Sequence, residues 1–143
     1  DLDYEHYKAI HHHFFQDVYD WAGEPREVRT GKGGNWFCYP EYIDTEMKKV
    51  FAQLAAEDHL SQITDLATFA GRASYFIAEI NAVHPFREGN GRCQLTLLNV
   101  LMEISGFEMD EELLDPDGFM DAMIASFHGD NGPLTRSILT MTT

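Results

Sequence analysis

A strongly apolar helical period that stops at a short segment of glycine, histidine and charge, then starts again, restricts the fold of this chain more than any other feature. Leu66, Phe69, Ala70, Ala73, Phe76, Ile77 and Ile80 recur at three- and four-residue spacing, which predicts a helix, and its apolar content makes it the central one. The pattern breaks at His84-Pro85, since proline pushes the residue before it toward extended geometry. Beyond Gly89 it resumes with Leu95, Leu97, Leu98, Leu101 and Ile104, and Gly106 closes it. The core is therefore expected to contain two helices joined by one tight loop.

The rest of the chain fits around that pair. Tyr7, Ile10, Phe14, Val18 and Trp21 predict an amphipathic helix from Asp3 to Trp21, ended by Ala22-Gly23-Glu24-Pro25. Ile43, Met47, Val50, Phe51 and Leu54 predict another. Pro116 to Phe127 and Pro133 to Met141 read as two shorter helices capped by Asp115 and Asn131. Between the first two helices, the β-prone arms Val28-Arg29-Thr30 and Trp36-Phe37-Cys38-Tyr39 flank Gly31-Lys32-Gly33-Gly34-Asn35, the signature of a small exposed hairpin. Two strands alone are marginal in water, so this hairpin should lean on helices and move more than they do. The expected architecture is a single all-α domain, residues 1–143, carrying one hairpin at about 28–39 and the loop and following helix at 84–105.

Composition excludes several function classes. With 143 residues and 44% hydrophobic content, the chain can bury roughly 68% of its unfolded surface, so its core needs neither disulfides nor metal. Its formal net charge of −14 repels phosphate backbones, and no lysine or arginine cluster interrupts it, so nucleic acid is not an expected partner. The acidic run between Glu103 and Asp130 reads as a solvated face. Cys38 and Cys93 have no Cys-x-x-Cys spacing and read as reduced thiols of a cytosol. No apolar run is long enough for a membrane span, and the first residues lack a signal peptide's pattern. The chain starts without Met, which suggests a fragment or processed protein.

The segment carrying chemistry is His84-Pro85-Phe86-Arg87-Glu88-Gly89-Asn90-Gly91-Arg92. Gly89, Asn90 and Gly91 stand where a helix begins, so free N–H groups and the positive end of the helix dipole can face phosphate oxygens without Cβ atoms in the way. Arg92 adds a permanent charge. Glu88 is a hard oxygen ligand suited to Mg²⁺ bound with a nucleotide, and His84 can take a proton near neutral pH. Taken singly, a histidine before proline is more often a cap or core residue, and Gly-Asn-Gly is usually a turn. Together they point to nucleotidyl or phosphoryl transfer. Walker and dinucleotide-loop spacings are absent.

This segment resembles the Fic signature, His-Pro-Phe-x-Asp/Glu-Gly-Asn-Gly-Arg-x-x-Arg, from His84 through Arg92. Ile10-His11, Phe15 through Gly23, Arg26, Lys32-Gly33 and Phe37 are similar to the family's upstream helix and flap. The resemblance implies the Fic fold, a helical bundle whose active-site loop is covered by a β-hairpin flap. It implies transfer of AMP from ATP to a Tyr, Thr or Ser hydroxyl of a target protein, with release of pyrophosphate. By that carry-over His84 is the catalytic base, Glu88 holds Mg²⁺, and Asn90 contacts the α-phosphate. Gly89, Gly91 and Arg92 stabilise phosphate charge, and Phe86 anchors the loop in the core. The flap residues Arg29, Thr30, Gly31, Lys32, Gly33, Gly34, Asn35, Trp36 and Phe37 dock the target by main-chain pairing.

The sequence departs from the signature at its last position, where Leu95 replaces the second arginine. That arginine helps hold the γ-phosphate in the family, and losing such a contact costs about 1.5–3 kcal/mol. The alternatives are transfer of another nucleotide or phosphate-containing group, or a degenerate module that binds nucleotide or a partner without turnover. The family's inhibitory Ser/Thr-x-x-x-Glu-Gly/Asn pattern is absent, so inhibition would come from a separate antitoxin-like partner or a missing flank. A cytoplasmic bacterial toxin and a piece of an effector delivered into a host cell both fit.

Three further features have plain structural readings. His11, His12 and His13 follow one another on a helix, where side chains point about 100° apart and cannot share one metal. One of them is expected to cap or pack. Cys93 is expected to pack rather than react, and Phe14, Phe15, Tyr19 and Trp21 are expected in the core.

Overall fold

A computed structural model of the chain describes residues 2–32 and 35–142. Six α-helices carry the described fold: α1 Tyr4–Phe15, α2 Ile43–Ala56, α3 Leu66–Val83, α4 Asn90–Ser105, α5 Pro116–Phe127 and α6 Gly132–Thr140. Helix α3 touches α2, α4, α5 and α6, as expected of the most apolar helix. Phe69, Ala70, Ala73, Phe76, Ile77 and Ile80 are all fully buried along it. Asp65 starts it as an N-cap, its carboxylate accepting from the Thr68 N–H at 2.9 Å. Asp3 does the same for α1 through His6. Asp115 and Asn131 hold the N-cap positions of α5 and α6, but neither side chain bonds to a helix N–H.

The first helix is shorter than its apolar period. It ends at Phe15, and the chain continues in turns through Val18, Tyr19 and Ala22 to Gly23, whose φ is +84°. These turns fold the segment back over α1. The Gly23 N–H donates to His11 Nδ1 at 2.9 Å, and the Trp21 ring stacks on His11 at 5.9 Å. Trp21 thus stays on the face that the period assigned it, whereas Val18 is 67% exposed. Phe14, Phe15, Tyr19 and Trp21 are half-buried, forming a wall beside the core instead of part of it.

The hairpin also differs in detail. Its ladder is β1 Gly31–Lys32 against β2 Asn35–Trp36, with Gly31 opposite Trp36 and Lys32 opposite Asn35. Gly31, Lys32 and Asn35 of the strands therefore fall inside the stretch expected to be the turn, Trp36 alone comes from an expected arm, and the rest of the arms serve as feet. Gly33 and Gly34 lie outside the described residues. Pairing extends one step further, since the Phe37 N–H donates to the Thr30 carbonyl at 2.9 Å. With Gly31, Asn35 and Trp36 exposed and Phe37 only 5% exposed, the two strands face solvent while the base of the hairpin is fixed to the bundle.

Two turns take left-handed backbone where bulkier side chains rarely do. Asp58, His59 and Leu60 form one of them, held by the buried Leu60 and by Ser105 Oγ donating to the Leu60 carbonyl at 2.8 Å. His84 is the other. No helix among the described residues is long and apolar enough to cross a membrane.

Candidate active site

The loop between α3 and α4 is set by backbone geometry at both ends. His84 ends α3 with φ 53° and ψ 66°, a left-handed conformation, not the extended one expected of a residue before proline. Either conformation leaves the helical region, and here the His84 N–H still closes α3 on the Ile80 carbonyl at 2.8 Å. At the far end Gly89 is the N-cap of α4 with φ +84°. A Cβ there would stand 2.3 Å from Phe15 Cε2, so only glycine fits both the torsion and the space.

Between these ends, Phe86 is fully buried. Its ring lies 3.9 Å from the His11 ring and 5.7 Å from that of Tyr7. Asn90 grips Phe86 with both ends of its amide: Oδ1 accepts from the Phe86 N–H at 3.0 Å and Nδ2 donates to the Phe86 carbonyl at 2.7 Å. Asn90 is 4% exposed. Its side chain is thus a staple that closes the loop.

The start of α4 presents open backbone groups. Gly89 has no side chain to cap α4, and the first intrahelical bond runs from Cys93 N–H to the Gly89 carbonyl. The N–H groups of Asn90, Gly91 and Arg92 therefore have no intrahelical acceptor. Beside Gly91 nothing lies within 4 Å of where a Cβ would stand. Acidic residues are absent from the first turn of α4, and Glu88, just before the N-cap, is the carboxylate next to the positive end of the helix dipole. Arg92 is exposed and rests on the Phe14 ring at 4.1 Å, and Arg87 rests on Trp21 at 4.9 Å. The half-buried aromatic wall thus carries both loop arginines.

Glu88 is exposed, and its main-chain carbonyl accepts from His11 Nε2 at 2.9 Å. Because Nδ1 of His11 accepts the Gly23 N–H, the ring proton sits on Nε2. Burial lowers the His11 pKa, outweighing the Glu88 carbonyl bond that favours the cation, so the ring stays neutral. No three His, Cys, Asp or Glu side chains among the described residues gather closely enough to enclose a metal. A Mg²⁺ ion carried largely by phosphate oxygens and water needs only one or two carboxylates, and the Glu88 carboxylate, in the loop that ends at the cradle, fits that demand.

His84 opens onto a pocket of about 270 Å³. The Phe37 ring lies parallel to the His84 ring at 3.8 Å and against Phe127 at 4.6 Å. Gly91 and Gln94 of α4 form one side, Asn81 of α3 another, and Phe119, Met120, Met123, Ile124 and Phe127 of α5 the apolar remainder. Asn35 at the hairpin and His128 just past α5 meet across the opening, Nδ2 to Nδ1, at 3.2 Å. His84, the start of α4 at Gly91 and an apolar slot thus share one cavity.

Arg26 sits behind the site. It is 2% exposed, and its guanidinium donates to four carbonyls: His84 at 2.7 Å, Val83 at 3.0 Å, Val28 at 2.7 Å and Cys38 at 2.5 Å. Its own N–H donates to the Pro85 carbonyl at 2.8 Å. Leu95 is half-buried and packed against the core. Cys93 is fully buried, and burial pushes its thiol up to about 12, which makes it a packing residue.

Three groups escaped the sequence. The α5 lining left a trace: Met120 and Ile124 are 47% and 38% exposed, more apolar surface than one buried stripe requires. His11 was hidden among three histidines. Arg26 stood out only through the family resemblance, and its role gave no pattern, because its partners are main-chain atoms.

Comparison with known proteins follows the same lines. Residues 1–102 match the Fic/DOC family. The chain is 59% identical over 141 residues to the probable protein adenylyltransferase y4lH of Sinorhizobium fredii, covering 99% of this chain and 73% of that one. It is 36% identical to the protein adenylyltransferase VbhT of Bartonella schoenbuchensis, covering 96% of this chain and 28% of that one. Among solved structures, the N-terminal Fic domain of a Bartonella quintana effector with bound ADP superposes with a TM-score of 0.89 at 25% identity, covering 99% of this chain and 73% of that one. BepC of Bartonella tribocorum with bound AMPPNP gives a TM-score of 0.89 at 22% identity, covering 99% and 74%, and so shares the fold. Signature, loop geometry, hairpin and these likenesses agree, and the chain belongs to the Fic/DOC family.

Proposed function

We propose that this domain is a protein adenylyltransferase that moves AMP from ATP to a hydroxyl of a target protein. The observation that carries the reading is the single cavity shared by His84, the N-terminus of α4 at Gly91 and the apolar slot lined by Phe119, Met120, Met123, Ile124 and Phe127. The slot accepts a flat purine against its apolar wall. The free N–H groups at Asn90, Gly91 and Arg92 accept the phosphates, and His84 faces the position where the α-phosphate then lies. Its relatives named protein adenylyltransferase support the same chemistry.

In the reaction, His84 takes the proton of the target hydroxyl as its oxygen bonds to the α-phosphorus. The bond from that phosphorus to the bridging oxygen breaks, and pyrophosphate leaves. The α4 amides and Arg92 stabilise the charge that develops on the phosphates, without reorganisation, because backbone fixes them. Glu88 would hold Mg²⁺, which neutralises phosphate charge and favours departure of pyrophosphate. The exposed hairpin, with Trp36 60% exposed, would pair with an extended target segment along its free edge.

Leu95 supports a second reading of the donor. An apolar side chain at this place offers no charge for a γ-phosphate, so a nucleotide or phosphate ester lacking one would be used as readily. Action in a host after delivery is the setting that the name of a similar structure, a VirB-translocated effector, suggests; a toxin acting on bacterial proteins and held by a separate antitoxin-like partner is the other setting.

The test is incubation of the chain and of His84→Ala with α-³²P-ATP, Mg²⁺ and bacterial lysate, with protein-bound label read on a gel. Labelled bands that vanish with His84→Ala are expected. Equal labelling by both would refute the role of His84. No labelling by a folded wild-type protein, with label appearing from a ³²P-labelled nucleoside diphosphate or nucleotide ester that lacks a γ-phosphate, would establish the second reading.

A further inference from the structure

We propose that Arg26 is a positioning residue that sets the hairpin at a fixed distance from His84. The inference rests on the transferase reading above and extends it to how a target hydroxyl is aligned.

One side chain joins the two moving parts of the site. Val28 and Cys38 are the feet of the hairpin, one on each strand side, and both give their carbonyls to Arg26. Val83 and His84 are the last residues of α3 and the base itself, and both do the same. These last two are carbonyls that a helix end leaves without partners. Among the described residues no carboxylate pairs with this 2% exposed arginine. An ion pair would satisfy the charge more simply. Four carbonyls from three chain segments instead suit the rigid five-donor fork of a guanidinium, and a lysine ammonium, with three donors from one atom, cannot span them. Two backbone bonds run alongside, Arg26 N–H to Pro85 and Cys38 N–H to the Ala82 carbonyl at 3.3 Å. The stacked Phe37 ring then follows the hairpin foot and lies on His84.

The consequence is geometric. A target strand paired to the hairpin inherits its position, so the distance from target oxygen to the His84 ring is fixed through Arg26. The α4 cradle makes no bond to Arg26. Losing the fork should therefore loosen alignment and leave nucleotide binding in place.

The experiment compares wild type with Arg26→Lys and Arg26→Gln. AMPPNP affinity is measured by calorimetry, lysate labelling by α-³²P-ATP, modified residues by mass spectrometry, and Phe37 and Cys38 amide exchange by NMR. For either folded variant we expect AMPPNP affinity within threefold of wild type and labelling at least tenfold slower. Both amides should exchange at least tenfold faster, and label should spread to hydroxyls flanking the wild-type site. A purely structural role would lower affinity and labelling together, with the same site modified. That result, or wild-type labelling with wild-type exchange, overturns the proposal. If neither variant folds, wild-type exchange decides: the Phe37 and Cys38 amides should open together with the His84 amide at the end of α3, and independent opening overturns it. Wild-type protein that binds AMPPNP but labels nothing counts against the transferase reading, while the exchange data still judge the Arg26 link.

Discussion

The side chain of His11 holds the main chain of Glu88: Nε2 donates to its carbonyl at 2.9 Å from 77 positions away. The same ring accepts the Gly23 N–H and stacks on Phe86. A neutral histidine with a fixed tautomer therefore fastens the turn that presents the carboxylate of Glu88 and the N-cap of α4.

Replacing that ring separates its two bonds. His11→Ala strands a carbonyl and an N–H and opens a cavity beside Phe86, and should cost about 2–4 kcal/mol of stability in urea unfolding. Glutamine can reach the Glu88 carbonyl and asparagine the Gly23 N–H. His11→Gln should therefore retain more labelling activity than His11→Asn; the reverse order would mean that the Gly23 side matters more.

The two glycines of the cradle should respond oppositely. Gly89→Ala drives a methyl to within 2.3 Å of the Phe15 ring at φ +84°, and should destabilise by about 2–4 kcal/mol. Gly91→Ala meets nothing within 4 Å and sits in the first turn of a helix, so stability should hold or rise by up to about 1 kcal/mol. If phosphate approaches there, Gly91→Ala weakens AMPPNP binding about tenfold, or about 1.4 kcal/mol. Thermal melts and calorimetry distinguish the two.

Alkaline pH should expose the buried thiol. Burial holds Cys93 protonated up to about 12 in the folded protein, against 9.0 for a free thiol. Above the unfolded value the unfolded chain loses a proton that the native one keeps, so stability falls as pH rises. The slope due to this group is at most about 1.4 kcal/mol per pH unit. Cys93→Ala should lack that share between pH 8.5 and 10, below the range in which the buried Tyr7, also pushed upward by burial, adds its own. Iodoacetamide on native protein should leave Cys93 unmodified.

Restoring a charge at position 95 should strengthen ATP use. Leu95 is half-buried on α4, so an arginine can extend toward solvent beyond the helix, and Leu95→Arg should raise ATP labelling roughly tenfold through one charge-assisted phosphate contact. Unchanged labelling with ATP and loss of labelling with another nucleotide would show that Leu95 selects the donor.

Filling the slot should act on the nucleoside alone. Ile124 lines the pocket while 38% exposed, so Ile124→Trp should leave the melting temperature within a few degrees and weaken AMPPNP binding at least tenfold. Inorganic pyrophosphate, which lacks a base, should bind the variant as it binds wild type.

Much of the molecule was legible in the sequence, and the failures have physical causes. Helix α3 and the break at His84 followed from apolar spacing and proline, because both are local. The first helix was read too long because Trp21 does keep the helical face, but by folding back through Gly23. Asn90 was assigned to phosphate because its type and place allow it. In the folded chain its side-chain amide bonds to Phe86, four residues away, a link that type and place alone do not reveal.

The order of helices, the glycine at the start of α4 and the residue types of the loop were determined by sequence alone, since period, propensity and turn chemistry act over a few residues. Tertiary structure decided which groups meet. His11 reaches Glu88, Arg26 gathers four carbonyls, and α5 supplies the apolar half of the pocket. Hydrogen bonds to main-chain carbonyls carry no side-chain signature at the accepting end, and a cavity belongs to several elements at once. Such relationships exist only after the helices have packed.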